Sequence, residues 1–347
     1  MAGSSTGCRP MTLRESTDRI VIIGAGHVGA TAAYAMMLRG IFPEIVLIDD
    51  NHALASAEAA DLSDANALAR PSRIWAGTYD DAASAKVAVI TAGAATHGAE
   101  NRLSVAARSA QIVRDCVNAL DAAGFDGILL IAANPVDVMT AIAFNSGSLP
   151  ASQVLGTGTL LDSNRLRQML AAHFNVAASA VDAVVLGEHG DSEVAIFSAV
   201  RIGGIPLQEF QTDRPILDTV AVAKAVRESA YSIVSGKGYT SFGIATAIVR
   251  ICEAIIRNER AVLPISTLMH GIAGADEIAI SMPCIIGANG VEQVLAPLLN
   301  ADEAAAFRSS SLTIQGVVEA QVREAGLPQS NEVAWLRDEA RSRTTSE

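Results

Sequence analysis

Arg19-Ile20-Val21-Ile22-Ile23-Gly24-Ala25-Gly26-His27-Val28-Gly29 runs from a β-branched stretch straight into G-x-G-x-x-G, and an Ala-rich segment from Ala30 to Leu38 follows. The first part predicts a short buried strand and the last a helix. At such a junction the first glycine permits a tight turn. The second lets backbone amides approach a pyrophosphate, and the third lets helix and strand pack closely. The helix N-terminus favours the negative charge. An ordinary glycine-rich turn is the alternative reading of the loop. Asp49 ends the next apolar run, Glu44 to Asp49, where a carboxylate can accept hydrogen bonds from ribose hydroxyls and repel a 2′-phosphate. NAD rather than NADP is therefore the expected cofactor, held by Gly24, Gly26, His27, Val28, Gly29 and Asp49. Asp50 competes with Asp49 for that role, or caps the next helix.

Outward from this unit the rhythm repeats. Ala53 to Leu68 predicts a second helix, Lys86 to Thr91 and Gly127 to Ile131 further strands, and Leu103 to Ala122 a helix between them. The strands are continuous apolar runs rather than alternating ones, as a parallel sheet covered on both faces requires. The fold class is α/β, a doubly wound, mostly parallel Rossmann sheet. Beyond Pro150 longer helices are predicted at Leu160 to His173, Asp218 to Val234, Ile244 to Arg257 and Ala301 to Glu324, with β-branched stretches at Arg260 to Ile265 and Glu277 to Ile286. A mixed α+β domain is expected there. The division is a flexible extension over 1–18, an NAD-binding domain over 19–158, a substrate and catalytic domain over 159–328, and a charged tail over 329–347.

Composition narrows the partners. The chain has 347 residues, half of them hydrophobic, which excludes a disordered chain and leaves room for subunit contacts. Twenty-five Lys and Arg against 37 Asp and Glu give a net charge of −12, which repels nucleic acid and acidic lipid. No apolar run is long enough to span a bilayer and the N-terminus lacks a secretory signal, so the expected location is cytoplasmic. Cys8, Cys116, Cys252 and Cys284 are scattered, which points to reduced thiols rather than disulfides or a zinc site; no metal is expected.

Three later segments carry chemistry: Asn134-Pro135-Val136-Asp137, Leu161-Asp162-Ser163-Asn164-Arg165, and Gly187-Glu188-His189-Gly190-Asp191-Ser192. With Thr91-Ala92-Gly93-Ala94, the loop ending at Arg102, Gly238-Tyr239-Thr240-Ser241 and Pro283-Cys284-Ile285-Ile286-Gly287, they resemble the signature segments of the L-lactate/malate dehydrogenase family, on the lactate dehydrogenase side. The resemblance runs from about Ile20 to Gly326. It implies NAD-dependent interconversion of a small 2-keto acid and an L-2-hydroxy acid, in a homo-oligomer, usually a tetramer or dimer.

Reducing a 2-keto acid needs a hydride donor, a proton donor near neutral pH, a cation for the carboxylate and a polariser for the carbonyl. Histidine suits the proton donor because its ordinary pKa lies near 6.5. The resemblance implies that His189 is this acid, and the base in oxidation, with Asp162 orienting it. Arg165, three residues past Asp162, shares its helix face and by resemblance grips the substrate carboxylate bidentately. Arg102, beyond a loop with Gly98 and no apolar anchor, is implied to swing in under a closing lid and polarise the carbonyl. Its alternative is a solvated charge at a helix start. Thr91, Ala92, Gly93 and Asn134 are implied to touch the cofactor, and Asn134 the substrate carbonyl as well.

The sequence departs from the family pattern at two places. The lid position six residues before the mobile arginine is glutamine for lactate and arginine for malate; here it is Thr96. Without a cation there, the second carboxylate of oxaloacetate is enclosed unpaired, which disfavours malate. Thr96 is short, and Ala230 and Thr240 match substrate-side positions, so bulkier apolar 2-keto acids stay open beside pyruvate, although His97 suits a polar one. The readings that compete with a lactate type are malate dehydrogenase, a hydroxyisocaproate or aromatic hydroxy acid dehydrogenase, and a scaffold that binds NADH without turnover. The other departure is Asp182, where relatives activated by fructose 1,6-bisphosphate have a histidine. Arg167 keeps the companion arginine, but an acid facing a sugar phosphate argues against that activation.

Overall fold

The computed structural model describes residues 18–94, 102–271, 275 and 278–324. The extension read over 1–18 lies outside these apart from Asp18, and the tail read over 329–347 lies outside them altogether.

In the first half strand and helix alternate: β1 (Arg19–Ile23), α1 (His27–Arg39), β2 (Glu44–Ile48), α2 (His52–Asn66), β3 (Arg73–Ala76), β4 (Ala85–Ile90), α3 (Arg102–Ala122), β5 (Ile128–Ile131), α4 (Val136–Ser146) and β6 (Val154–Gly156). The second half holds α5 (Leu160–Phe174), β7 (Val181–Asp182), β8 (Val185–Leu186), β9 (Val194–Ala195), β10 (Arg201–Ile202), β11 (Ile205–Pro206), α6 (Leu207–Phe210), α7 (Thr219–Lys237), α8 (Phe242–Ile256), β12 (Ala261–Leu268), β13 (Ala279–Gly287), β14 (Gly290–Val294) and α9 (Ala301–Glu324).

Six strands run parallel in the order β6-β5-β4-β1-β2-β3. Ile20, Val21 and Ile22 of β1 are fully buried. Residues of alternating parity enter opposite layers: Ile20 and Ile22 join the core under α1 and α8, while Val21 and Ile23 join the core under α3 and α4. This is the doubly wound arrangement, and each such side chain contributes about 1.5–3 kcal/mol by leaving water. The strand order reverses between β1 and β4, so the chain leaves these strands in opposite directions and opens a crevice at their carboxyl ends.

Three features differ from the sequence reading. The α4 helix was not anticipated, because every residue from Val136 to Asn145 is buried and no polar face marks a helical period. The edge strand β3 is only four residues long and mixes Arg73 and Trp75 with apolar neighbours. The mixed second half does not keep its strands to itself: β12 pairs antiparallel with β6 through Ser266 and Gly156, and β13 and β14 follow, giving one nine-stranded sheet. Among the described residues, no helix is long and apolar enough to cross a membrane.

Candidate active site

The glycine loop closes against the strand ends by backbone geometry. Gly24 adopts φ +104°, and a Cβ there would sit 2.6 Å from the amide nitrogen of Ala92. At Gly29 it would meet the Gly24 carbonyl oxygen at 1.9 Å, so both glycines are required by the protein's own packing. Gly26 differs, because a Cβ there meets nothing within 4 Å. It is also the N-cap of α1 and supplies no side chain to satisfy the first-turn amides. A cradle open at the second glycine, at an uncapped helix N-terminus, fits a pyrophosphate.

Around it, the Thr91 hydroxyl donates to the Gly24 carbonyl at 2.8 Å, and the amides of Thr91 and Ala92 donate to the Ile23 carbonyl. Asp49 Oδ2 accepts from the Ala25 amide at 2.7 Å and Oδ1 from the Asn51 amide at 2.9 Å. Its carboxylate thus lies against the loop with lone pairs remaining for ribose hydroxyls, whereas Asp50 is exposed, and the cap of α2 is Asn51. Val28 packs toward the core, and His27 stacks on Tyr239 with ring centroids 3.9 Å apart.

A second cluster forms where α5 leaves the sheet. Gly158 turns the chain at φ +51°, hard against the Ser266 amide, where a Cβ would lie 2.5 Å away. Ser163 Oγ then accepts the Val185 amide at 2.9 Å, and the Thr159 hydroxyl donates to the Val185 carbonyl. These bonds pin α5 beside β8. Gly187, at φ +87°, pairs with Ser281 and redirects the chain toward α5. The His189 amide donates to Asp137 Oδ2 at 2.7 Å, which fixes the histidine backbone to α4.

His189 and Asp162 meet as a result, although 27 residues separate them. His189 Nδ1 lies 2.6 Å from Asp162 Oδ2, and Arg165 Nη1 donates to Asp162 Oδ1 at 2.8 Å. The aspartate is 1% exposed, so its charge is opposed by little water. Burial alone favours a neutral carboxyl, but His189 and Arg165 outweigh it and hold Asp162 below the usual range. Burial likewise disfavours a charged His189, and the Asp162 carboxylate overcomes this, raising the imidazole to about 9. Asp137 is pushed up to about 6 by its complete burial, against the pull of its hydrogen bonds.

The cluster faces a cavity of about 370 Å³, room for a small organic acid. Asn134, Asp162, Arg165, His189 and Ala230 line it together. Thr240, in the turn between α7 and α8, is not among the lining residues. Arg102 opens α3; its side chain, together with Thr96 and His97, lies outside the described residues. Arg167 points elsewhere, donating to the Ala183 carbonyl at 3.1 Å beside Asp182.

The sequence reading gave no role to four residues here. Asp137 belongs to a motif that carries no role for it, and Glu193, Arg227 and Tyr231 lie in no motif although all three line the cavity. On α7, Arg227 lies three residues before Ala230 and four before Tyr231, the spacings of one helix face, which was the available signal. Glu193 is 7% exposed, and burial and the nearby Asp162 charge push its carboxyl up to about 8. Asp162, His189 and Glu193 have the composition of a metal site. The 2.6 Å hydrogen bond engages Nδ1 of His189 and Oδ2 of Asp162 with each other.

Comparison with known proteins identifies the family. The family model for the lactate/malate dehydrogenase NAD binding domain matches residues 18–156, and that for the lactate/malate dehydrogenase alpha/beta C-terminal domain matches residues 159–324. The chain is 40% identical over 306 residues to the L-lactate dehydrogenase of Thermus aquaticus, covering 87% of this chain and 99% of that one. It is 40% identical over 305 residues to the L-lactate dehydrogenase of Moorella thermoacetica, covering 86% and 96%. The crystal structure of the minor L-lactate dehydrogenase of Enterococcus mundtii in its ligands-bound form superposes with a TM-score of 0.86 at 37% identity, covering 88% of this chain and 99% of that one. With both halves matched in order and the relatives spanned almost end to end, the chain belongs to the lactate/malate dehydrogenase family and is of the L-lactate dehydrogenase type, an oxidoreductase with an NAD-binding domain.

Proposed function

We propose that this protein reversibly reduces an apolar 2-keto acid, pyruvate by default or a bulkier homologue, to the L-2-hydroxy acid with NADH. The observation that carries this reading is Asp162, held between His189 and Arg165 at the wall of one small cavity. Bound NADH supplies the hydride, and the loop of Gly24, Gly26 and Gly29 with Asp49 would hold it. Asp162 leaves Arg165 with guanidinium donors to grip the substrate carboxylate as a fork. Because Nδ1 of His189 is engaged by Asp162, Nε2 is the ring nitrogen left to face substrate. As the carbonyl's electron pair collects on its oxygen, His189 Nε2 gives up its proton and the hydroxy acid forms. In oxidation the neutral imidazole takes that proton back. By the family resemblance Arg102 is assigned to polarise the carbonyl and Asn134 to orient it.

Thr96 argues against a dicarboxylate, and Ala106 and Ala230 on the cavity wall offer apolar room. NADH oxidation with pyruvate, 4-methyl-2-oxopentanoate, phenylpyruvate and oxaloacetate tests the assignment. One of the first three is expected to give the highest kcat/KM; a lead for oxaloacetate would reverse it. With Arg167 bound to a carbonyl and Asp182 beside it, fructose 1,6-bisphosphate is expected to leave KM unchanged.

We place the division between cofactor and substrate domains at 158/159. A homo-oligomer suits the exposed apolar side chains Tyr34 and Leu38 of α1 and Ile233 and Val234 of α7. A cytoplasmic location suits Cys116, Cys252 and Cys284, which are free and buried.

A further inference from the structure

The reaction proposed above employs His189, Asp162 and Arg165 and leaves one buried acid of the same cavity without a task. Glu193 stands just before β9 and is 7% exposed. One of its carboxyl oxygens lies within 4.8 Å of both a ring nitrogen of His189 and a carboxylate oxygen of Asp162. Among the described residues, no hydrogen bond contributes to the proton affinity of that carboxyl; only burial and neighbouring charges do. A core acid kept for structure is ordinarily hydrogen-bonded, as Glu303 is to Ser198.

We infer that Glu193 is a positioning residue that sets the proton affinity of His189 by releasing or holding its own proton beside the imidazole. The inference rests on the proposed role of His189. Among the described residues, the titratable and charged groups that face the pair are Asp162 and Arg165 on α5, Asp137 on α4, Glu188 and Asp191 on the histidine loop, and Arg227 and Tyr231 on α7. His189, Arg227 and Arg165 favour an ionised Glu193, while burial and Asp162 disfavour it more strongly. At neutral pH the carboxyl is therefore mostly neutral and adds little to the field at His189. As the pH rises the Glu193 proton passes to water, and the new negative charge strengthens the hold of His189 on its own proton. The imidazolium needed for keto acid reduction then persists to higher pH, and the neutral imidazole needed for oxidation is deferred.

The test compares the full-length wild type with Glu193→Gln and Glu193→Asp. It uses pH profiles of kcat/KM for keto acid reduction and the NMR titration of the His189 ring, assigned by difference with His189→Asn. Glu193→Gln is expected to lower both midpoints by about one pH unit, and Glu193→Asp to restore part of the shift. Unmoved midpoints in a folded Glu193→Gln protein would overturn the inference, since a merely structural acid changes stability or kcat without moving them. Should that variant not fold, the carboxyl carbon of Glu193 in 13C-labelled wild type decides. Titration between pH 7 and 9 supports the inference, and titration in the ordinary glutamate range overturns it. If the wild type turns over no 2-keto acid, the proposed function fails, while the two NMR titrations still judge Glu193.

Discussion

His189 Nδ1 lies 2.6 Å from Asp162 Oδ2, and that contact decides which proton the site can spend. Below about 9 the imidazole is a cation, because the buried carboxylate outweighs the cost of desolvating it. Reduction consumes the imidazolium, so kcat/KM for the keto acid is expected to hold through neutral pH and fall as the pH passes about 9. Oxidation of the hydroxy acid rises over the same interval. In Asp162→Asn the strongest raising influence is gone while burial stays, so both midpoints move down, by at least about one unit. Profiles in the two directions check this; midpoints that stay in place contradict it.

Arg165 gives one nitrogen to Asp162 and keeps the rest of a planar fork for substrate. Lysine cannot serve both carboxylates in that geometry. Arg165→Lys is expected to raise KM for the keto acid roughly tenfold to a hundredfold, the loss of about 1.5–3 kcal/mol of charge-assisted hydrogen bonding. NADH binding, followed by fluorescence, should not change.

The glycines of the cofactor loop separate stability from binding. At Gly29 an added methyl strikes the Gly24 carbonyl at 1.9 Å, so Gly29→Ala is expected to lower Tm by several degrees. At Gly26 the methyl meets no protein atom within 4 Å. Gly26→Ala should keep the Tm and weaken NADH binding by roughly tenfold, the worth of about one hydrogen bond. Calorimetry and a binding titration on both variants separate the two outcomes.

The strand, the glycine loop and the first helix were legible because their signals are local: a β-branched run, three glycines at fixed spacing and an Ala-rich segment. Asp162 and Arg165 were legible as one-face neighbours for the same reason. The meeting of His189 with Asp162 is long-range; it depends on Gly158, Ser163 and Gly187, whose roles emerge only when α5 and β8 lie side by side. The helix Val136–Ser146 escaped notice because burial on all sides removes the polar stripe that a periodic reading needs. The antiparallel strands that extend the sheet carry no mark of which edge they join, since Ser266 and Gly156 are 110 residues apart in the chain. Glu193 follows a recognisable motif but stands outside it, and its proximity to the imidazole is a product of the tertiary fold.

The most direct test is the single replacement His189→Asn, which keeps a polar side chain of similar width and removes the titrating ring. NADH oxidation by the preferred 2-keto acid is expected to fall by roughly a hundredfold to ten-thousandfold while the dissociation constant for NADH stays at the wild-type value. Turnover within a few-fold of wild type would show that another group delivers the proton.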